Sequence, residues 1–336
     1  ELVCRKRRIL CQLAWRVFQP LFESEDSTCK DVDVLRGVMG SILTVSTALK
    51  HHRNRSSRGR CDLRDEVLVP IHSVILFKKC VYNRFRKMPA EKYWLLFSQT
   101  VTSCLNMFID PNRFSLIRLP NRDEVKYVRL PTRNIKAGDS CNIVTLGIGH
   151  DIYAEKKLQT LFPPICSFYG ADPAVKVNKE LYESFGGRFF PFAVGAVSRN
   201  DTALVMGYEG GVFYKEHSVQ HVDIVRFLRH YAGIQSPIDV IIMDIEGREF
   251  GILPLLEQGN LLDDNNITVC QWNIEFHWPN PEQNESFRRF IINTIRDERY
   301  LMLKAIFFPL LNLNRIFLIN IADPFCLERY FTKIDV

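Results

Sequence analysis

The chain has 336 residues, 46% of them hydrophobic and 24% charged, a balance that excludes a disordered or fibrous protein and suits one large α/β domain with an extension, or two domains. Its net charge of +6 comes entirely from residues 1–60, where twelve Lys or Arg face six acids. The other residues are formally neutral, so they lack the basic field on which polynucleotide binding draws, and a nucleic-acid partner is disfavoured.

Residues 1–65 read as a basic, unassigned segment in which 50–60 forms a solvated linker. Residues 66–130 read as a helical cap: Val74, Phe77, Val81 and Phe85 recur at spacings of three and four, followed by Tyr93, Leu96, Phe97, Thr100 and Leu105. Pro131 closes that pattern, and 131–336 reads as a separate α/β domain. Within it, apolar strands at 142–146, 165–169, 188–194, 238–243 and 267–274 alternate with amphipathic helices at 154–162, 175–185, 219–231, 250–258 and 283–296. Such alternation predicts a parallel sheet with helical crossovers. Residues 302–308 and 315–321 flank a Pro- and Asn-containing turn and read as a terminal antiparallel hairpin.

No apolar run approaches the about 20 residues that cross a bilayer. Because the first residue is Glu1, an upstream signal or anchor is left open, and localisation with it. The ten cysteines include no CxxC pair, so neither a zinc ribbon nor a thioredoxin-like site is indicated. Cys166 and Cys270 sit in apolar runs and read as buried free thiols. Asn54, Asn200, Asn266 and Asn284 each begin an Asn-X-Ser/Thr triplet, which permits glycosylation if the chain enters the secretory pathway.

Chemistry concentrates where the expected strands end. The first empties into Gly147-Ile148-Gly149-His150-Asp151, a turn whose glycines let a ligand approach the backbone. The third glycine of a dinucleotide fingerprint is missing, which counts against a nicotinamide-dependent oxidoreductase. The second strand ends at Asp172, placed to accept hydrogen bonds from a ribose diol or to cap the helix after Pro173. The fourth delivers Asp244-Ile245-Glu246-Gly247-Arg248-Glu249, with Asp244 and Glu246 on one side of the strand end. Glu246 and Glu249 can equally serve a helix N-terminus. The fifth strand adds Asn273, Glu275 and His277.

The strings 142–151, 169–173, 190–194, 243–247 (Met-Asp-Ile-Glu-Gly) and 273–277 (Asn-Ile-Glu-Phe-His) resemble the FkbM-type methyltransferase family, and more narrowly its branch expanded in nematodes, over about 131–330. The resemblance implies a Rossmann-like class I fold, with a mostly parallel seven-stranded sheet and a C-terminal antiparallel hairpin. It also implies S-adenosylmethionine as cofactor and a hydroxyl oxygen as acceptor. Gly147, Gly149, Asp151, Asp172 and Asp244 are then the expected cofactor residues. Thr145 and Met243 depart from the wider pattern, which more often has an acid and a lysine there.

An aliphatic hydroxyl needs its proton engaged before it attacks a methyl group. His277 or Glu246 is expected as base, with Asp244 positioning the nucleophile or the cofactor amine, although His277 also reads as an ordinary hydrogen-bonded loop histidine. Asp244, Glu246 and Glu275 can alternatively be read as a Mg²⁺ site, which the pattern does not favour. The expected partner is a small-molecule or glycan hydroxyl acceptor. The competing reading is a catalytically silent module that binds the cofactor or another protein.

Overall fold

The computed structural model describes residues 68–331 other than 123, 137, 208–213 and 236; the basic segment expected at 1–65 lies outside them. Helices α1 (Leu68–Phe85) and α2 (Ala90–Phe108) open the described chain. The periodic residues Phe77, Val81, Phe85, Tyr93, Phe97 and Leu105 are all buried. They meet α8 (Pro281–Arg296), whose Phe287 packs edge-on against Phe97 at 4.9 Å and Phe276 at 4.9 Å. Edge-to-face rings add attraction beyond the area they bury. No described helix is long and apolar enough to cross a membrane.

A short antiparallel hairpin follows, β1 (Ile117–Pro120) with β2 (Val125–Val128); the helical reading of 66–130 does not anticipate it. Beyond lies a seven-stranded sheet. Strands β3 (Asn142–Leu146), β4 (Ser167–Ala171), β5 (Arg188–Phe190), β9 (Val240–Met243) and β10 (Gln271–His277) run parallel in it. The terminal hairpin, β11 (Tyr300–Phe308) and β12 (Leu313–Asn320), adds β12 antiparallel to β10. The full order is β11-β12-β10-β9-β3-β4-β5, which is the expected architecture. Helices α3 (Tyr153–Leu161), α4 (Val175–Glu183) and α6 (Glu249–Leu256), with α8, make crossovers. All four residues of β9 are buried, which accounts for its unbroken apolar run. The strand order runs outward from β3 through β5 and returns to β9, so the crevice beyond β3 and β9 is the switch point where such sheets bind ligands.

Two expected elements are corrected. The strand read at 188–194 is two, because Pro191 offers no N–H to a ladder; β5 stops at Phe190, and β6 (Ala193–Gly195) joins a second sheet. That three-stranded sheet also contains β7 (Arg199–Met206) and β8 (Tyr214–Asp223), in the order β6-β8-β7, so the helix read at 219–231 begins only after Asp223. Asp223 accepts a hydrogen bond from the Arg226 N–H at 2.8 Å, capping α5 (Ile224–Arg226), which continues as a π-helical turn, Phe227–Tyr231. The short α7 (Leu261–Asp264) and α9 (Pro324–Tyr330) complete the description.

The free-thiol reading of Cys166 and Cys270 is also overturned. Disulfides join Cys80 to Cys104, Cys141 to Cys166 and Cys270 to Cys326. The partners lie 24, 25 and 56 residues apart, so sheet pairing and helix docking bring them together, and local spacing does not reveal it.

Candidate functional site

The turn after β3 is held by its neighbours. The Gly147 N–H donates to the Ala171 carbonyl at 2.9 Å, and the Asp244 N–H donates to the Leu146 carbonyl at 2.9 Å, tying the ends of β3, β4 and β9 together. Gly147 has φ +81°, and a Cβ there would sit 1.7 Å from the Asp244 carbonyl oxygen. Only glycine fits. Asp172 is buried beside the turn: Oδ2 accepts the Ile148 N–H at 2.8 Å and, at longer range, that of Gly149 at 3.5 Å, while Oδ1 accepts the Ala174 N–H at 2.6 Å before α4. Asp172 therefore braces the turn and caps the helix approach, with carboxylate lone pairs remaining for a further donor.

Gly147, Gly149, Asp172 and Asp244 thus converge. Asp151 is engaged elsewhere, since its Oδ2 accepts the Arg122 N–H at 2.8 Å and its Oδ1 the Tyr153 N–H at 2.9 Å, which ties the β1–β2 turn to the start of α3. Two residues that sequence reasoning missed support the turn. Asn178, fully buried on α4, accepts the His150 N–H at 3.0 Å. Glu155, on α3, accepts the Thr145 hydroxyl at 2.9 Å, and burial raises its pKa. An acid stands near Thr145 after all, supplied by the following helix; a glutamate in a helix's first turn reads as solvated, so nothing local marked it.

The second half of the site follows β9. Glu246 has φ +53° and Gly247 φ +92°. A side-chain-bearing residue in the left-handed region costs about 1–2 kcal/mol, and such strain collects at functional sites. The turn brings Glu246 Oε2 within 3.5 Å of His277 Nε2, which also lies 3.4 Å from Asp244 Oδ1 and 3.4 Å from Glu275 Oε1. The other ring nitrogen, Nδ1, is 2.9 Å from Glu249 Oε1. The imidazole is consequently surrounded by four carboxyl groups.

Electrostatics sets the protonation states. Burial works against charge on His277, but Glu249 foremost, then Glu275 and Asp244, outweigh it and push its pKa up to about 12. The surrounding carboxyl groups thus favour the imidazolium over the neutral ring. Burial and then the neighbouring Glu275 push Asp244 up to about 8 against the pull of His277. Its side chain is 30% exposed, yet Oδ1 is buried and makes no hydrogen bond. Burial also raises Glu246, opposed by His277 and by the Tyr214 hydroxyl. Burial would raise Glu275 too, but hydrogen bonds from His277 and Arg315 hold it down at about 2.

Alternate residues of β10 face this side. Gln271 and Asn273 use their amides as extra ladder rungs for β2: Asn273 accepts the Tyr127 N–H and donates to the Tyr127 carbonyl, both at 2.8 Å, and Gln271 does likewise with Arg129 at 2.8 and 3.0 Å. The expected neighbour Asn273 is therefore a docking residue. The hairpin brings in Glu124 and Lys126, which pair with each other; Arg315 bridges Glu275 and Glu124. Together with Met243 and Asp244 these groups line a recess at the strand ends.

Residues 101–302 match the family described as the methyltransferase FkbM domain. No curated protein matches the chain. Among solved structures, fibrillarin from Aeropyrum pernix, in complex with natively bound S-adenosyl-L-methionine, is 16% identical with a TM-score of 0.31, over 56% of this chain and 69% of that one.

Proposed function

Because the chain belongs to the methyltransferase FkbM domain family, whose methyl donor is S-adenosylmethionine, we propose that it methylates a hydroxyl oxygen on a sugar, a lipid-linked group or a small metabolite. The observation that carries this reading is the meeting of Gly147, Asp172 and Asp244 at the sheet's switch point, beside buried carboxyl oxygens that make no hydrogen bond. Glu249 is fully buried and its Oε2, like Asp244 Oδ1, makes no hydrogen bond. Carboxyl groups at 124, 244, 246, 249 and 275 outnumber their paired cations Lys126, His277 and Arg315. Buried carboxylates left short of partners suit a ligand that brings positive charge, and the donor carries a sulfonium and an ammonium.

Bound there, the donor supplies an electrophilic methyl group. Gly147 and Gly149 leave the turn without a side chain at those two positions, and Asp172 would offer its remaining lone pairs to the ribose. Asp151 acts indirectly, by fixing the turn. The base is Glu246: His277 is already protonated, and Glu246 is the neighbouring carboxyl whose ionised form both His277 and Tyr214 favour. Glu246 would take up the proton that the acceptor hydroxyl gives up on methylation. Asp244, whose raised pKa a cationic ligand would draw back down, positions the nucleophile or the cofactor amine. His277 is a positioning residue that holds the two carboxyls apart and in register. Segment 66–130 serves as cap to the catalytic segment 131–336, its hairpin walling one side of the recess.

The geometry groups Asp244 with Glu249 and His277, or with Glu124 and Glu275, for any cation. The trio expected for Mg²⁺, Asp244, Glu246 and Glu275, is not among these groups. Arg315 and Lys126 already neutralise Glu275 and Glu124, so the reading keeps methyl transfer independent of Mg²⁺, and turnover should survive excess chelator.

Calorimetric titration with S-adenosylmethionine and with NAD, beside methyl release on a panel of hydroxylated acceptors, tests the proposal. Binding of the first cofactor alone together with turnover is expected. Tight binding with no turnover on any acceptor would favour a silent cofactor-binding module, and failure to bind S-adenosylmethionine would end the methyl-transfer reading and leave only a module that binds another protein.

A further inference from the structure

We propose that this chain folds in an oxidising compartment and there acquires N-linked glycans at Asn200 and Asn266, but not at Asn284. The inference is independent of methyl transfer and begins with the disulfides. Cys80–Cys104 staples α1 to α2, Cys141–Cys166 joins the residues leading into β3 and β4, and Cys270–Cys326 fastens the start of β10 to α9. Cys104, Cys141, Cys270 and Cys326 are buried, so these bridges belong to the core. Such bridges form and persist where the surroundings oxidise thiols, in the secretory pathway or outside the cell, and are rare in the cytosol. In that pathway an Asn-X-Ser/Thr triplet becomes an acceptor.

The fold then sorts the triplets; the one at Asn54 lies outside the described residues. Asn200 is exposed on β7, the edge strand of the three-stranded sheet, and no side-chain hydrogen bond engages it. Asn266 is exposed in a turn between α7 and β10, with φ +53°. Asn284 sits in the first turns of α8, half-buried, with its amide Nδ2 donating to the Ala90 carbonyl at 3.3 Å and its Oδ1 buried. A glycan is attached through that amide nitrogen, so at Asn284 it would have to displace the start of α2. At Asn200 it would project from an exposed position on the edge strand. Bulk there also has a use, because an open edge invites pairing with another chain.

The test uses the endogenous protein from its source tissue, deglycosylated with N-glycosidase in heavy-oxygen water and peptide-mapped after thiol alkylation without and then with reduction. Heavy-oxygen aspartate is expected at 200 and 266 and unaltered asparagine at 284, with the six bridged cysteines alkylated only after reduction. Unmodified Asn200 and Asn266, or cysteines alkylated without reduction, would overturn the proposal; a glycan at 284 would overturn the sorting. In the same cells Asn200→Gln and Thr202→Ala should each remove one glycan and Asn266→Gln one other. Asn284→Gln should remove none.

Discussion

Asp239 and Asp244 flank the same buried strand, β9, one before it and one after, and they are held in opposite ways. Asp239 is fully buried and fully answered: Oδ2 accepts the Asn142 N–H at 2.9 Å, and Oδ1 accepts the Arg329 guanidinium at 2.8 Å and the Tyr330 hydroxyl at 2.6 Å. Asp244 stands among three other carboxyl groups with one oxygen buried and unbonded, next to a residue pair in left-handed conformation. Burial raises the pKa of both acids, so titration behaviour does not tell them apart. Hydrogen-bond satisfaction does. A buried charge whose needs are met by its own chain stabilises the fold, whereas one left short waits for a ligand or a reaction.

The sharpest break in this comparison comes from the carboxyl end. Glu246→Gln should lower kcat/KM by about 10²–10⁴-fold, the usual contribution of a positioned base, with the thermal midpoint unchanged or higher. Undiminished turnover would remove Glu246 from the mechanism. At the other end, Asp239→Ala strands Arg329 without its partner and should cost about 3–5 kcal/mol in denaturant unfolding. Turnover per folded molecule should not change; a loss below about 1 kcal/mol would contradict the structural role given to Asp239.

Two further effects sharpen the contrast. Asp244 rises from an ordinary 3.8 to about 8, so its contribution to stability is complete below pH 4 and is lost as pH climbs through 8. The wild-type protein should therefore lose stability over that window relative to Asp244→Asn, as read from denaturant midpoints at pH 4, 6 and 8. Parallel profiles would show that Asp244 ionises as it does in the unfolded chain. His277, raised from 6.5 to about 12, contributes in the same sense, with its stability lost between those values. Finally, Glu246→Asn exchanges the strained residue for one that tolerates positive φ. It should raise unfolding stability by about 1 kcal/mol while abolishing turnover, the opposite balance to Asp239→Ala.

The strand ends are legible because buried parallel strands leave an unmistakable apolar run, as 240–243 does, followed at once by the residues that must face the crevice. Periodicity likewise carries the helices at 153–161 and 281–296. Where polar and apolar residues mix on a half-exposed second sheet, as along β7 and β8, neither period dominates, and 219–223 reads as helix though it ends a strand. The β1–β2 hairpin escapes notice for a related reason. Its ladder is completed by the amides of Gln271 and Asn273, some 140 residues away.

The sequence by itself determined the class of architecture, the glycine turn and the acids that follow β4 and β9, because these depend on short-range rules of period, turn geometry and strand termination. Tertiary structure alone decided which cysteines pair, that Glu155 reaches Thr145, and that four carboxyl groups close around His277. Each of these is a matter of distance between groups remote in the chain and of the water excluded around them, and neither quantity is written in local sequence.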